Sequence, residues 1–222
     1  MDFGLSFSYV FNDKDWFKKL AIPALCSLIP VVGQFVLAGW GLKATKKVID
    51  GNKEYALPNL SFGEDLGRGF MAMLITAIYS LPVAIIFGLS SGIFVAGENA
   101  DQIMMAILYI LGGCVGLLGL LVGIFFGFLS AAAVANYVAK GQFGAAFNFK
   151  QVFGLIKKSF VSWLLVIAGQ ILAFGIIAPL GTIACVIGMF LTLAYGTAVY
   201  SHLLGQAYNA STEPAVGSME TL

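Results

Sequence analysis

Charge is what this chain lacks most. Asp, Glu, Lys and Arg make up 10% of its 222 residues, against about 25% in soluble domains. Hydrophobic residues make up 59%, more apolar surface than a water-soluble core can absorb, so the composition demands a bilayer as solvent. The net charge of +1 leaves no basic field and excludes nucleic acid as a partner. Histidine occurs once, at His202, with no cysteine or carboxylate beside it to complete a metal site. The three cysteines, Cys26, Cys114 and Cys185, stand far apart inside apolar stretches. An odd number excludes a complete disulfide set, and they read as small packing residues. No phosphate loop, nucleotide fingerprint, intramembrane-protease motif or haem-attachment motif is present. The chain therefore reads as non-enzymatic, with no catalytic residue, no metal and no cofactor. Met1-Asp2-Phe3 opens without the basic region and apolar run of a secretory signal peptide, so none is expected.

The few cations that exist are grouped. Lys14, Lys18 and Lys19 form one cluster, Lys43, Lys46, Lys47, Lys53 and Arg68 a second, and Lys140, Lys150, Lys157 and Lys158 a third. Long uncharged stretches separate them, and all twelve can be placed on one side of a membrane. This is the positive-inside pattern of a multi-pass protein of the cell membrane, with both termini cytoplasmic. Stretches 69–96, 103–138, 159–178 and 180–204 meet the need for about 20 apolar residues to span. The expected fold is an all-α integral membrane protein with four transmembrane helices, in one membrane domain over 1–208 and a polar tail over 209–222.

The first apolar stretch, 20–42, carries Pro23, Pro30 and Gly33 and has positive clusters at both ends. It reads either as a single crossing or as a re-entrant hairpin turning at Pro30 and Gly33, with arms reaching about 16 Å each. The hairpin is the favoured reading, because it puts every cation on the same side. Pro179 and Gly181 repeat the pattern between two later apolar runs, and an internal repeat of this kind is common in membrane folds. Three amphipathic segments open with a capping residue followed three positions later by Asp, Glu or Gln: Asn12 with Asp15, Ser61 with Glu64, and Asn148 with Gln151. They read as interfacial helices at the headgroups, the first within the segment 1–19.

Two lines of small residues at every fourth position predict close helix packing. One is Gly119, Gly123, Gly127, Ala131 and Ala135, the other Ser80, Ala84, Gly88 and Gly92. They pack against each other or form an oligomer interface. Lys43, Lys46 and Lys47 share one helix face, and with Lys18, Lys19, Lys157 and Lys158 they are candidate contacts for phospholipid headgroups. His202 reads as a hydrogen bonder at headgroup level. No charge lies deep in any span, which argues against ion coupling and proton relays.

Phe11-Asn12-Asp13-Lys14-Asp15-Trp16-Phe17-Lys18-Lys19-Leu20, Ile29-Pro30-Val31-Val32-Gly33, Gly39-Trp40, Leu57-Pro58 and His202-Leu203-Leu204-Gly205-Gln206 together resemble a prokaryotic polytopic membrane-protein family known as a domain of unknown function. Lysines stand at 43, 46 and 47 where that family usually has arginine, and Asn59-Leu60 replaces an aromatic and acidic run. The resemblance implies a membrane domain and no particular activity. The reading from the residues is a membrane-embedded scaffold or accessory subunit, in a homo-oligomer or a larger membrane complex. The first alternative is a channel or facilitator for a small neutral or lipid-like solute, which needs Gln34, Gln170, Thr192 and Tyr195 to converge. The second is membrane shaping by the hairpin and interfacial helices.

Overall fold

Long apolar stretches give helices over most of the described residues. The computed structural model describes residues 1–52 and 57–212, and of residues 184–187 the backbone only. Lys53 and the part of the polar tail over 213–222 lie outside the described residues. The order is α1 (Leu5–Ser8) with a 3-10 turn Tyr9–Asn12, α2 (Trp16–Cys26), α3 (Val32–Ile49), α4 (Phe62–Glu98), α5 (Gln102–Lys140), α6 (Phe149–Lys158), α7 (Phe160–Gln170), a π-helical stretch Ile171–Ile177, α8 (Ala178–Leu180), a 3-10 turn Gly181–Ala184 and α9 (Cys185–Thr212). No strand forms among the described residues.

Among the described residues, three helices are long and apolar enough to cross a membrane: Phe62–Glu98, Gln102–Lys140 and Phe160–Ile183. The protein is therefore a membrane-embedded helical protein. The first two have 37 and 39 residues, about 55–58 Å at helical rise, well beyond a hydrocarbon core of about 30 Å. The sequence placed a break at Pro179–Gly181, between two spans. The helix instead runs through Pro179 to Ile183, with Pro179 directly after the π-helical stretch Ile171–Ile177, where the regular hydrogen-bond ladder is already interrupted. Gly181 then lies against the Gly188 backbone and the Thr192 hydroxyl of α9, where any side chain would collide.

No continuous helix covers 20–42. Helix α2 stops at Cys26 and α3 starts at Val32. Between them Val31 takes φ 64°, a conformation costly for a β-branched side chain. Gly33 follows with its Cα against the Cys26 carbonyl and Ser27, so that a Cβ would overlap them. Pro30 and Gly33 flank this break, and its positive φ falls on Val31 between them.

Helix α3 packs between α4 and α9. One core gathers Ile75, Tyr79, Ala131 to Ala135, Trp163, Val166, Leu203 and Leu204. A second gathers Tyr9, Val10, Leu20, Trp40, Leu57, Ala194 and Ala198. The upper part of the α4–α5 pair stands apart from both. Between Leu81 and Phe128 its only buried residues among those described are Ser90, Gly97, Gly112 and Gly119, all on the seam between the two helices. Leu81, Ile85, Leu89, Ile110, Leu117 and Leu121 point outward and are exposed, a surface that belongs in lipid.

Candidate functional site

Among the described residues Asp65 is the one carboxylate with no solvent exposure, in the first turn of α4. Its Oδ2 accepts from the Ser61 N–H at 2.7 Å. The expected return bond from Glu64 is thus made one position later, by Asp65. Its Oδ1 is paired with Lys43 Nζ at 2.9 Å and Arg68 Nη1 at 3.5 Å. Two glycines bring α3 and α4 close enough for this: Gly39 touches the Asp65 backbone and Gly69 the Phe35 carbonyl, each without room for a methyl group. Sequence reading missed Asp65, because a lone acid beside Glu64 at a span end looks like a solvated residue. Its spacing of four from Ser61 was the available signal.

Two lysines of the α3 face are turned to protein, and the third, Lys46, stays exposed. Lys43 also donates to the Asn59 carbonyl at 2.9 Å and Lys47 to the Leu57 carbonyl at 3.2 Å, so residues 57–60 fold over it. Lys46 pairs with Asp50 at 2.7 Å and Lys19 with Asp13 at 2.7 Å. Burial works against the charge of Asp13, but the Lys19 hydrogen bond, the Asp15 N–H and the charges of Lys19 and Lys47 prevail and hold its carboxyl below the usual range. Burial, with the charges of Lys19 and Lys43, lowers Lys47, and Asp13 partly opposes this. Of the seven lysines expected at headgroups, Lys18, Lys157 and Lys158 remain exposed with no ion pair or hydrogen bond to a described residue. Asn12 does not cap α2, because it lies inside the 3-10 turn; Asp13 instead accepts from the Asp15 N–H at 2.9 Å.

His202 does not face headgroups. It is fully buried, with the Tyr9 ring stacked on it at 4.1 Å. Its Nδ1 lies 2.9 Å from Ser6 Oγ and 2.9 Å from Gln206 Nε2. Gln206 Oε1 accepts from the Asp2 N–H at 2.6 Å and its Nε2 donates to the Asp2 carbonyl at 2.9 Å. Tyr9 OH donates to the Ala198 carbonyl at 3.0 Å, and burial pushes its phenol far above the ordinary value. The N-terminal segment is thereby fastened to α9. The physical reason for the correction is that residues 1–12 cover the end of α9 that sequence alone leaves facing outward.

The two lines of small residues do not face each other. Gly119 and Gly123 meet Ile86 and Val83 of α4, and Ala131 and Ala135 lie in the core, while a methyl on Gly127 would touch nothing. On α4, Ser80, Ala84, Gly88 and Gly92 are exposed, and methyls on Gly88 and Gly92 would also meet nothing. The α4–α5 seam instead runs through Gly112, Gly116, Gly119 and Gly123, a spacing of four, three and four that keeps one helix face on its partner.

The polar residues expected to converge stand apart. Gln34 donates to the Ser27 carbonyl at 3.3 Å, Thr192 to the Ala178 carbonyl at 2.9 Å and Tyr195 to the Phe7 carbonyl at 2.7 Å. Gln170 lines a different cleft of about 260 Å³ with Thr76, Ser80, Ser130 and Tyr200. It lies about 12–15 Å along the helices from Arg68 and Lys140, a depth inside the hydrocarbon. No group of three or more potential metal-binding side chains occurs among the described residues.

Helix α6 buries Val152, Leu155 and Ile156 and exposes Phe149 and Phe153 together with Lys150, Lys157 and Lys158. Asn148 caps it, accepting from the Gln151 N–H at 3.2 Å. The Gln151 side chain does not return to the cap; it accepts from Lys140 at 2.6 Å and so ties α6 to the end of α5.

No curated protein and no solved structure matches the chain. A family model described as "Protein of unknown function (DUF4013)" matches residues 22–193, from within α2 to within α9. That range holds the Pro30–Gly33 turn, the Gly39–Gly69 contact with its buried Asp65, and all three candidate spans. The chain belongs to the DUF4013 family of helical membrane proteins.

Proposed function

We propose that the protein is a non-enzymatic scaffold or accessory subunit of the cell membrane, with both termini on the cytoplasmic side. It docks through α4 onto a second copy or a larger membrane complex. The observation that carries this reading is the line Ser80, Ala84, Gly88 and Gly92, left on the outside of a helix pair that is already sealed along another face. Glycine inside a helix costs about 1 kcal/mol relative to alanine. In lipid a glycine face offers nothing to acyl chains but lets a second backbone approach closely. The break at Ser27–Val31 suits a re-entrant hairpin over 20–42, because α2 and α3 each start or end at the turn with cations at the far ends.

The test is purification in mild detergent from the native host, with mass spectrometry and particle size read on one sample. The expected result is a fixed stoichiometry above one, with itself or other proteins, that Gly88→Leu/Gly92→Leu abolishes while leaving the monomer folded. A monodisperse monomer carrying no partner overturns the reading. The Gln170 cleft favours a second reading, a facilitator for a small neutral solute. Uptake by liposomes holding the purified protein, lost in Gln170→Leu, is its expected signature.

A further inference from the structure

Three lysines are gathered by the fold at one place. The end of α5, helix α6 and the end of α9 enclose a cleft of about 540 Å³. Lys140, Lys150 and Lys158 line it, with Tyr208, Ser211 and Thr212 opposite. No Asp or Glu lines it among the described residues. Lys140 gives one bond to Gln151. Lys150 and Lys158 are exposed and make no ion pair or hydrogen bond with a described residue. Burial raises the Tyr208 phenol, although Lys46 partly opposes this, so at neutral pH its hydroxyl remains a donor. The walls therefore offer three ammonium groups and the Tyr208 hydroxyl with no carboxylate to neutralise them, the Ser211 and Thr212 hydroxyls being given to the Ala207 and Tyr208 carbonyls. Three like charges around one space repel each other unless an anion enters. Their sequence positions, 140, 150 and 158, come together because the core contacts of Val152, Leu155 and Ile156 and the Lys140–Gln151 bond hold α6 against α5.

The anion's source follows from the surroundings. Phe149 and Phe153 of the same helix are exposed, at 60% and 51%. On the other flank of α6 a groove of about 460 Å³ is lined by Phe125, Phe128, Phe153, Ile156 and Phe160 with Lys157 at its edge. A helix that shows phenylalanine beside lysine lies at the boundary between acyl chains and headgroups. We propose that the cleft between α5, α6 and α9 binds the phosphate of an anionic phospholipid, held by Lys140, Lys150 and Lys158, with its acyl chains running along α6 into the bilayer. The site is separate from the α4 face and does not depend on the scaffold reading.

The experiment uses full-length protein in nanodiscs of phosphatidylcholine with phosphatidylglycerol, released for native mass spectrometry. One phosphatidylglycerol retained per protomer is the expected result. Lys150→Gln/Lys158→Gln removes two cations that hold nothing else in the fold, and should weaken retention about thirtyfold. Lys14→Glu, outside the cleft and with the same change in net charge, should leave it unchanged. Melting temperature reports whether each variant is folded. Equal retention in both variants overturns the site. Displacement of the lipid by millimolar inorganic phosphate overturns the lipid as its source and points to a soluble phosphate ligand.

Discussion

Asp65 holds the strongest single-residue argument in the molecule. A carboxylate with no exposure survives because Lys43, Arg68 and the Ser61 N–H meet it. Removing one partner of a buried pair strands the other, at a cost of about 3–5 kcal/mol. Asp65→Ala is therefore expected to lose about that much stability in detergent denaturation. Asp65→Leu combined with Lys43→Met should recover part of it, because Lys43 is no longer stranded although Arg68 still loses its partner. The sequence does show an acid at 65 and lysines at 43, 46 and 47, but it does not show that residues 57–60 close over them. The headgroup role assigned to Lys43 and Lys47 therefore gave way to backbone carbonyls. Residue types were legible, and partners brought in by a connecting segment were not.

At the scale of elements, legibility followed hydropathy. Apolar length marked α4, α5 and α7, and the Pro30–Gly33 break was visible before the structure. The Asn148 cap was equally readable, since its partner is three residues away. Packing between helices was a different matter. The eye is drawn to glycines repeating along one helix, whereas the tight contacts join single glycines on different helices. Gly39 meets Asp65 while Gly69 meets Phe35, and Gly205 meets Val48 and Thr45 across α3 and α9. No periodicity within one segment encodes such pairs. Gly39→Ala should cost about 1–3 kcal/mol, because its methyl strikes backbone that cannot rotate away. Gly88→Ala should cost the monomer nothing and gain up to about 1 kcal/mol of helix propensity. Thermal denaturation of the two variants side by side checks the contrast.

At the scale of the whole molecule, the helices form a lower body and an upper hairpin with unequal support. The body is sealed by residues 1–12 lying over α9 through Tyr9, Ser6 and Asp2. Deleting residues 1–12 should lower the melting temperature and open His202 to diethyl pyrocarbonate, with which the intact protein should not react. Retained melting temperature and unreactive His202 in the shortened chain would show that α9 is sealed without them. Nothing in the sequence indicates this closure, because the two segments it joins are nearly the whole chain apart.

That distance sets an order of events during synthesis. Asp2 binds Gln206, 204 positions later. At about 5–20 residues per second the first residues wait about 10–40 s for their partner to leave the ribosome. Through that interval Tyr9 and Val10, fully buried at the end, have Leu20, Trp40 and Leu57 beside them but lack Ala194 and Ala198 of α9. Residues 2–12 are thus among the last to be closed in, and a polypeptide released before Gln206 is made leaves them within reach of quality-control proteases.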